Sequence, residues 1–219
     1  MDISSEMVKR ASAYVKKKMQ DEHSGHDWRH IERVREMAVK LQKKEGGDLH
    51  LIELAVLLHD LGDYRQQGFS EIKGSFVLRG MMDVLDIEED LKEKLVEIIG
   101  EAEFYGEETK KPKTIEGKIL QDADWLDALG AVGIARVFAT GGSNKRMLHD
   151  PAVKPRTRPT KAEYLYKKSE GTSYNYFFEK ILKIPKMMNT ETAQKIAERR
   201  AKFTEDFLDQ FKKEWEGEK

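Results

Sequence analysis

Apolar residues recur at helical spacing along most of the chain, and no stretch sustains the two-residue alternation of a half-buried strand. Met7, Ala11, Tyr14, Val15 and Met19 predict a first helix over about 4–20, which Asp21 to Gly25 breaks. A second helix starts near Asp27, a good capping type, and runs to about Lys44, with Ile31, Val34, Met37, Ala38 and Leu41 on its apolar face. Gly46-Gly47 ends it. Leu49 to about Leu61 is apolar almost throughout and predicts a buried helix. After a polar stretch, Tyr64 to Lys73, a short helix passes through Phe76, Val77, Met81 and Leu85. Another spans about Glu88 to Phe104, with Leu91, Leu95, Ile98, Ile99 and Ala102 inward.

Gly106 to Pro112 reads as a charged loop, and Thr114 to about Ala139 as one helix bent or split near Gly130 and Gly133. Gly141-Gly142-Ser143-Asn144 signals a loop. Asp150 to Thr160 sets Pro151, Pro155 and Pro159 among Lys154, Arg156 and Arg158, and reads as a long basic loop. A short helix from Lys161, a turn at Gly171-Thr172-Ser173 and a helix from Tyr174 to about Lys183 follow. The last helix runs from Thr190 to Trp215, with Ala193, Ile196, Ala197, Arg200, Phe203, Phe207, Leu208, Phe211 and Trp215 as its inner stripe. The pattern predicts an all-α fold of roughly nine or ten helices. With no Pro/Gly/Ser-rich linker, 1–219 is expected to be a single domain, its core over about 20–140 and a helical extension over about 160–216.

Charge narrows the partners. Lys+Arg number 39 and Asp+Glu 40, a net charge of -1, so there is no bulk field for nucleic acid or an acidic membrane. Any phosphate must be held by local Arg and Lys. There is no cysteine, which excludes disulfides, thiolate metal sites and Cys nucleophiles. The polar start, Met1 to Glu6, and the lack of a membrane-length apolar run lead to the expectation of a soluble cytoplasmic protein. The amphipathic last helix leaves room for a homodimer.

Three His-Asp dipeptides differ in setting. His149-Asp150 precedes a proline after a polar loop, so little fixes it. In His26-Asp27 the aspartate has a routine capping job. Only His59-Asp60 closes an apolar helix, where an ionisable pair is costly unless a metal ion or ordinary hydrogen-bond partners neutralise it. His30 shares a face with Val34, Met37 and Leu41 and so points at the core, as a ligand or as a hydrogen-bonded core histidine. Asp122, Asp124 and Asp127 lie within an otherwise apolar helix, where salt bridges to Lys and Arg are the alternative to metal binding.

The order His30, His59-Asp60, Asp124 resembles the HD superfamily of metal-dependent phosphohydrolases. The flanks Gly25-His26-Asp27-Trp28-Arg29-His30-Ile31, Leu58-His59-Asp60-Leu61-Gly62-Asp63 and Asp122 to Gly130 are similar to one bacterial and archaeal branch of small stand-alone members. So are Gly171-Thr172-Ser173-Tyr174-Asn175 and the Phe-rich last helix. The resemblance implies an HD-type helical domain in which His30, His59, Asp60 and Asp124 hold one divalent ion. Two imidazoles and two carboxylates suit Mn²⁺, the preferred ion, or Fe²⁺, Zn²⁺, Co²⁺ or Ni²⁺ better than Mg²⁺. Asp122, nearly opposite Asp124 on a helix, is the rival fourth ligand. No histidine lies between His59 and Asp124, which argues for one metal rather than two.

Such an ion lowers the pKa of bound water, toward ~7 at best, and stabilises charge on phosphoryl oxygens. Asp63, three residues after Asp60, is the expected acid/base, and a turn residue otherwise. Asp127 is expected to orient a ligand from behind. Arg33, Arg136, Lys145 and Arg146 are the candidate phosphate contacts, with Arg156 and Arg158 in a lid-like loop. His26 and Trp28 are expected to line the pocket, and Trp28 or Tyr64 to stack a base or pack in the core. The expected reaction is hydrolysis of a nucleoside or deoxynucleoside triphosphate to monophosphate and pyrophosphate. Nucleoside-monophosphate phosphatase activity and a non-catalytic nucleotide- or phosphate-sensing module are the alternatives.

Overall fold

The computed structural model of the chain describes residues 3–22, 24–61, 71–166 and 170–218, and every regular element among them is helical. The chain packs as two compact units, 1–104 with 109–123 and 105–108 with 124–219.

In the first unit, α1 (Ser5–Lys18), α2 (Trp28–Glu45), α3 (Leu49–Leu58), α4 (Glu71–Val84) and α5 (Glu89–Ala102) precede the first turns of α6 (Ile115–Asp127). Short polar caps start three of them: Ser4, Asp27 and Asp48 accept from the backbone N–H groups of Met7, His30 and Leu51. Gly46, at φ 84°, turns the chain out of α2, a conformation L side chains rarely adopt. Because α1, α2 and α5 all pack on α3, the run Ile52–Leu58 has no solvent-facing side. Its one charged member, Glu53, accepts from Arg35 Nε at 2.9 Å and Nη2 at 2.7 Å. That guanidinium lets a carboxylate stay in an apolar helix. In α4 the inward residues are Leu78 and Met82, with Leu85 just beyond, whereas Phe76 is 78% exposed. Phe76 and Met81 fit the helical period, but hydrophobicity alone does not set its phase.

In the second unit, the rest of α6 leads to α7 (Gly130–Ser143), α8 (Lys161–Tyr166), α9 (Ser173–Glu179), a 3₁₀ segment (Ile181–Met187) and α10 (Glu191–Trp215). The helix expected to bend near Gly130 is split there. Gly130 sits at φ 73°, and its N–H donates to the buried Thr204 hydroxyl of α10 at 3.0 Å. Thr204→Val keeps the shape and strands that donor, so thermal or urea unfolding is expected to lose about 1–3 kcal/mol. Gly141-Gly142 lies inside the last turn of α7 rather than in a loop, because α7 packs against α9 and α10. The buried stripe of α10 is Ala193, Ala197, Ala201, Thr204 and Leu208, while Phe203 and Trp215 are about half exposed. His149 is not loosely held. Its ring lies 4.5 Å from that of Tyr174 and 5.0 Å from that of Trp215.

Candidate metal centre

Helix α2 delivers His30 and the end of α3 delivers His59 and Asp60. The Asp27 carboxylate accepts from the His30 backbone N–H at 2.8 Å, which fixes the start of α2 and puts the imidazole at its third helical position. That imidazole is fully buried. At the end of α3 the chain tightens, Leu61 N–H bonding Leu58 O at 3.2 Å, so His59 and Asp60 leave the helix pointing back into the first unit's core.

His59 Nδ1 lies 2.7 Å from the Val56 carbonyl oxygen, which can only accept. The proton is therefore on Nδ1, and in neutral imidazole the lone pair is on Nε2. Nε2 of His59 is 3.4 Å from Asp60 Oδ1, and Nε2 of His30 is 3.3 Å from Asp60 Oδ2. One ligand atom from each of the three residues lies within 4.8 Å of the others. Burial works against ionising Asp60, but His59, His30 and His26 outweigh it and hold the carboxyl well below the usual carboxylate range. Asp60 is therefore an anion in the folded chain, yet its Oδ2 is buried without an aligned hydrogen bond.

These observations fit a cation. Adjacent ligands about 2.1 Å from one ion lie about 3.0–3.4 Å apart, close to both contacts of Asp60. An acceptor buried without its hydrogen bond costs about 1–3 kcal/mol, and a bound divalent ion removes that cost. The tautomer set by Val56 could not be read from the sequence, because a backbone carbonyl carries no residue signature.

Among the other expected site residues, His26 is half-buried with its ring 5.8 Å from that of His30. Trp28 starts α2, and its indole Nε1 is buried without a hydrogen bond. Arg33, half-buried, is one turn beyond His30. On α6, Asp122 is fully buried and Asp124 partly exposed. Two residues apart on one helix, they face different sides. Asp127 is buried, and its carboxylate is 3.3 Å from Arg136 Nη1. The anion that an arginine at this place requires is thus supplied by the fold. Lys145 is exposed, and Arg146 lies over the Tyr176 ring at 4.8 Å. Asp63 and Tyr64 lie outside the described residues.

The HD domain family matches residues 27–129, a span that holds the three clustered side chains. YpgQ of Bacillus subtilis (strain 168) is 35% identical over 211 residues, which cover 93% of this chain and 91% of YpgQ. This chain belongs to the HD superfamily. Among solved relatives of this HD protein, one from Lactobacillus plantarum matches with a TM-score of 0.90 at 33% identity, covering 99% of this chain and 100% of that one. An HD-superfamily hydrolase from Bacillus thuringiensis matches at 0.68 and 38% identity, over 96% and 97% of the two chains. YpgQ has been crystallised in complex with ADP, and that structure matches at 0.69 and 32% identity, over 94% and 97%. No helix among the described residues is long and apolar enough to cross a membrane.

Proposed function

We propose that the chain is a mononuclear-metal phosphohydrolase that converts nucleoside or deoxynucleoside triphosphates to monophosphates and pyrophosphate. The observation that carries this reading is the buried His30–His59–Asp60 cluster, with a carboxylate oxygen that no hydrogen bond satisfies. The ADP bound to YpgQ supports a nucleotide as the ligand class.

In this reading Asp124 completes the set as the fourth ligand. A divalent ion, Mn²⁺ by preference, supplies Lewis acidity when bound by these four residues, acidifying water and stabilising negative charge on phosphoryl oxygens. The protein groups divide the remaining work. Asp63 accepts the proton of the attacking water, whose oxygen bonds to phosphorus as the pyrophosphate leaving group departs. Arg33, Lys145 and Arg146 neutralise the phosphate chain, while His26 and Trp28 line the pocket for the rest of the nucleotide. Arg136 holds Asp127, the carboxylate one turn beyond Asp124, and acts through it rather than on substrate.

The test is a panel of nucleoside mono-, di- and triphosphates with Mn²⁺, each product identified by ³¹P NMR. Triphosphates are expected to yield equal amounts of monophosphate and pyrophosphate. Inorganic phosphate released from monophosphates would make the protein a phosphatase, and tight binding with no turnover would make it a sensing module.

A further inference from the structure

Helix α4 has more apolar surface than its own chain covers. Leu78 and Met82 face inward, where α4 packs on α5. On the other side Phe76 is 78% exposed and Val84 64%, with Val77 and Met81 half-buried beside them. A surface helix ordinarily carries one apolar stripe and a polar opposite face, whereas a helix apolar on both sides belongs between two neighbours. Phe76, Gly80 and Val84 lie about one turn apart along a single line. A Cβ at Gly80 would meet nothing within 4 Å, so the middle of that line is an open hollow with a phenyl ring next to it.

The charges beside the line limit what can cover it. Arg79 donates to Glu89 at 3.0 Å and to Glu93 at 2.8 Å, and Lys92 bonds both Asp83 and Glu89. These groups come close to balance, which offers little field to draw a polyanion, a polycation or an acidic lipid surface. A second copy of the chain fits better, because the face matches itself. In an antiparallel pair related by a twofold axis, one register sets Phe76 of each chain over the Gly80 hollow of the other. That same register brings Lys73, on this face by helical period, opposite Asp83, since both pairs are centred on position 78. Size and charge therefore agree on a single alignment, and each match occurs twice.

We propose that α4 is a self-association surface, on which a second copy of this chain docks antiparallel with each Phe76 seated in the other's Gly80 hollow. Two such helices bury roughly 1,000 Å² in total, the low end for a specific contact, so the dissociation constant is expected at about 1–100 μM. Nothing in this pairing depends on the reaction proposed above.

Sedimentation equilibrium of the full chain, at concentrations spanning that constant, tests it. Wild type should follow a monomer–dimer equilibrium, and both Phe76→Glu and Gly80→Leu should raise the dissociation constant at least about tenfold. Gly80→Leu is the sharper variant. It adds apolar surface, and the single chain has room for its Cβ, so it blocks only a partner that uses the hollow. Asp83→Lys should weaken the dimer as well, and Lys73→Asp added to it should restore the association. Far-UV circular dichroism checks folding, and Gly80→Leu carries the test alone should Phe76→Glu not fold.

A wild-type chain that stays monomeric throughout would overturn the proposal. So would a dimer that Gly80→Leu leaves intact, which would lie on another face, or one that the charge exchange fails to restore, which would pair in another alignment. A monomer that instead sediments with phosphatidylcholine vesicles would give the face to a membrane and overturn it too.

Discussion

Asp60→Asn is expected to lower kcat/KM for a nucleoside triphosphate by about 10⁴-fold, with the fold retained. Asparagine keeps the side-chain volume but removes the negative charge and replaces one oxygen by an NH₂ that cannot bind a cation. The change also removes the only carboxylate in the buried cluster, the group that His30 and His59 face at 3.3 and 3.4 Å. A neutral amide oxygen holds a divalent cation less strongly than a carboxylate does, so the ion and the charge stabilisation it supplies are lost together. Steady-state kinetics with far-UV circular dichroism as the folding control measure this. Turnover within tenfold of wild type would place the chemistry elsewhere.

Gly133→Ala should lose at least about 3 kcal/mol of stability, with failure to fold as the extreme. Gly133 lies in the first turn of α7. A Cβ there would sit 2.2 Å from both the carbonyl carbon and the oxygen of Ala128. These are backbone atoms of the tight link between α6 and α7, so no rotamer relieves the overlap and the two helix ends would have to separate. Gly100→Ala is the control. It lies within α5, where a Cβ would meet nothing within 4 Å, and should stabilise by about 0.5–1 kcal/mol. Paired urea melts compare the two. A Gly133→Ala chain as stable as wild type would contradict the packing described.

The same contrast explains how much could be read without coordinates. Helix existence and the buried character of Ile52–Leu58 follow from periodicity, since a run with no polar face must be surrounded. The ends of α2 and α10 follow from Asp27, Gly46 and Thr190, whose side-chain or backbone chemistry marks a boundary. The inward turn of His30 follows from its register with Val34. What periodicity leaves open is which of two apolar arcs faces in. Thus Phe76 lies outside while Leu78 and Met82 lie inside. A local glycine signal also yields to tertiary packing, so Gly141-Gly142 stays helical where α7 meets its neighbours. His149 gains its aromatic surroundings from residues far along the chain, Tyr174 and Trp215, which no local window contains. Likewise, the anions that meet Arg136 and Arg156 are Asp127 and Glu179. Composition says only that such partners are available, not that they belong to the protein rather than to a substrate.

The most direct test of the account is the number of Mn²⁺ ions bound per chain, counted by electron paramagnetic resonance during titration of wild type and of Asp60→Asn. One ion per wild-type chain, with the variant's affinity reduced at least about a hundredfold, is the predicted result. No stoichiometric ion in the wild type, or one held equally well by the variant, would contradict it.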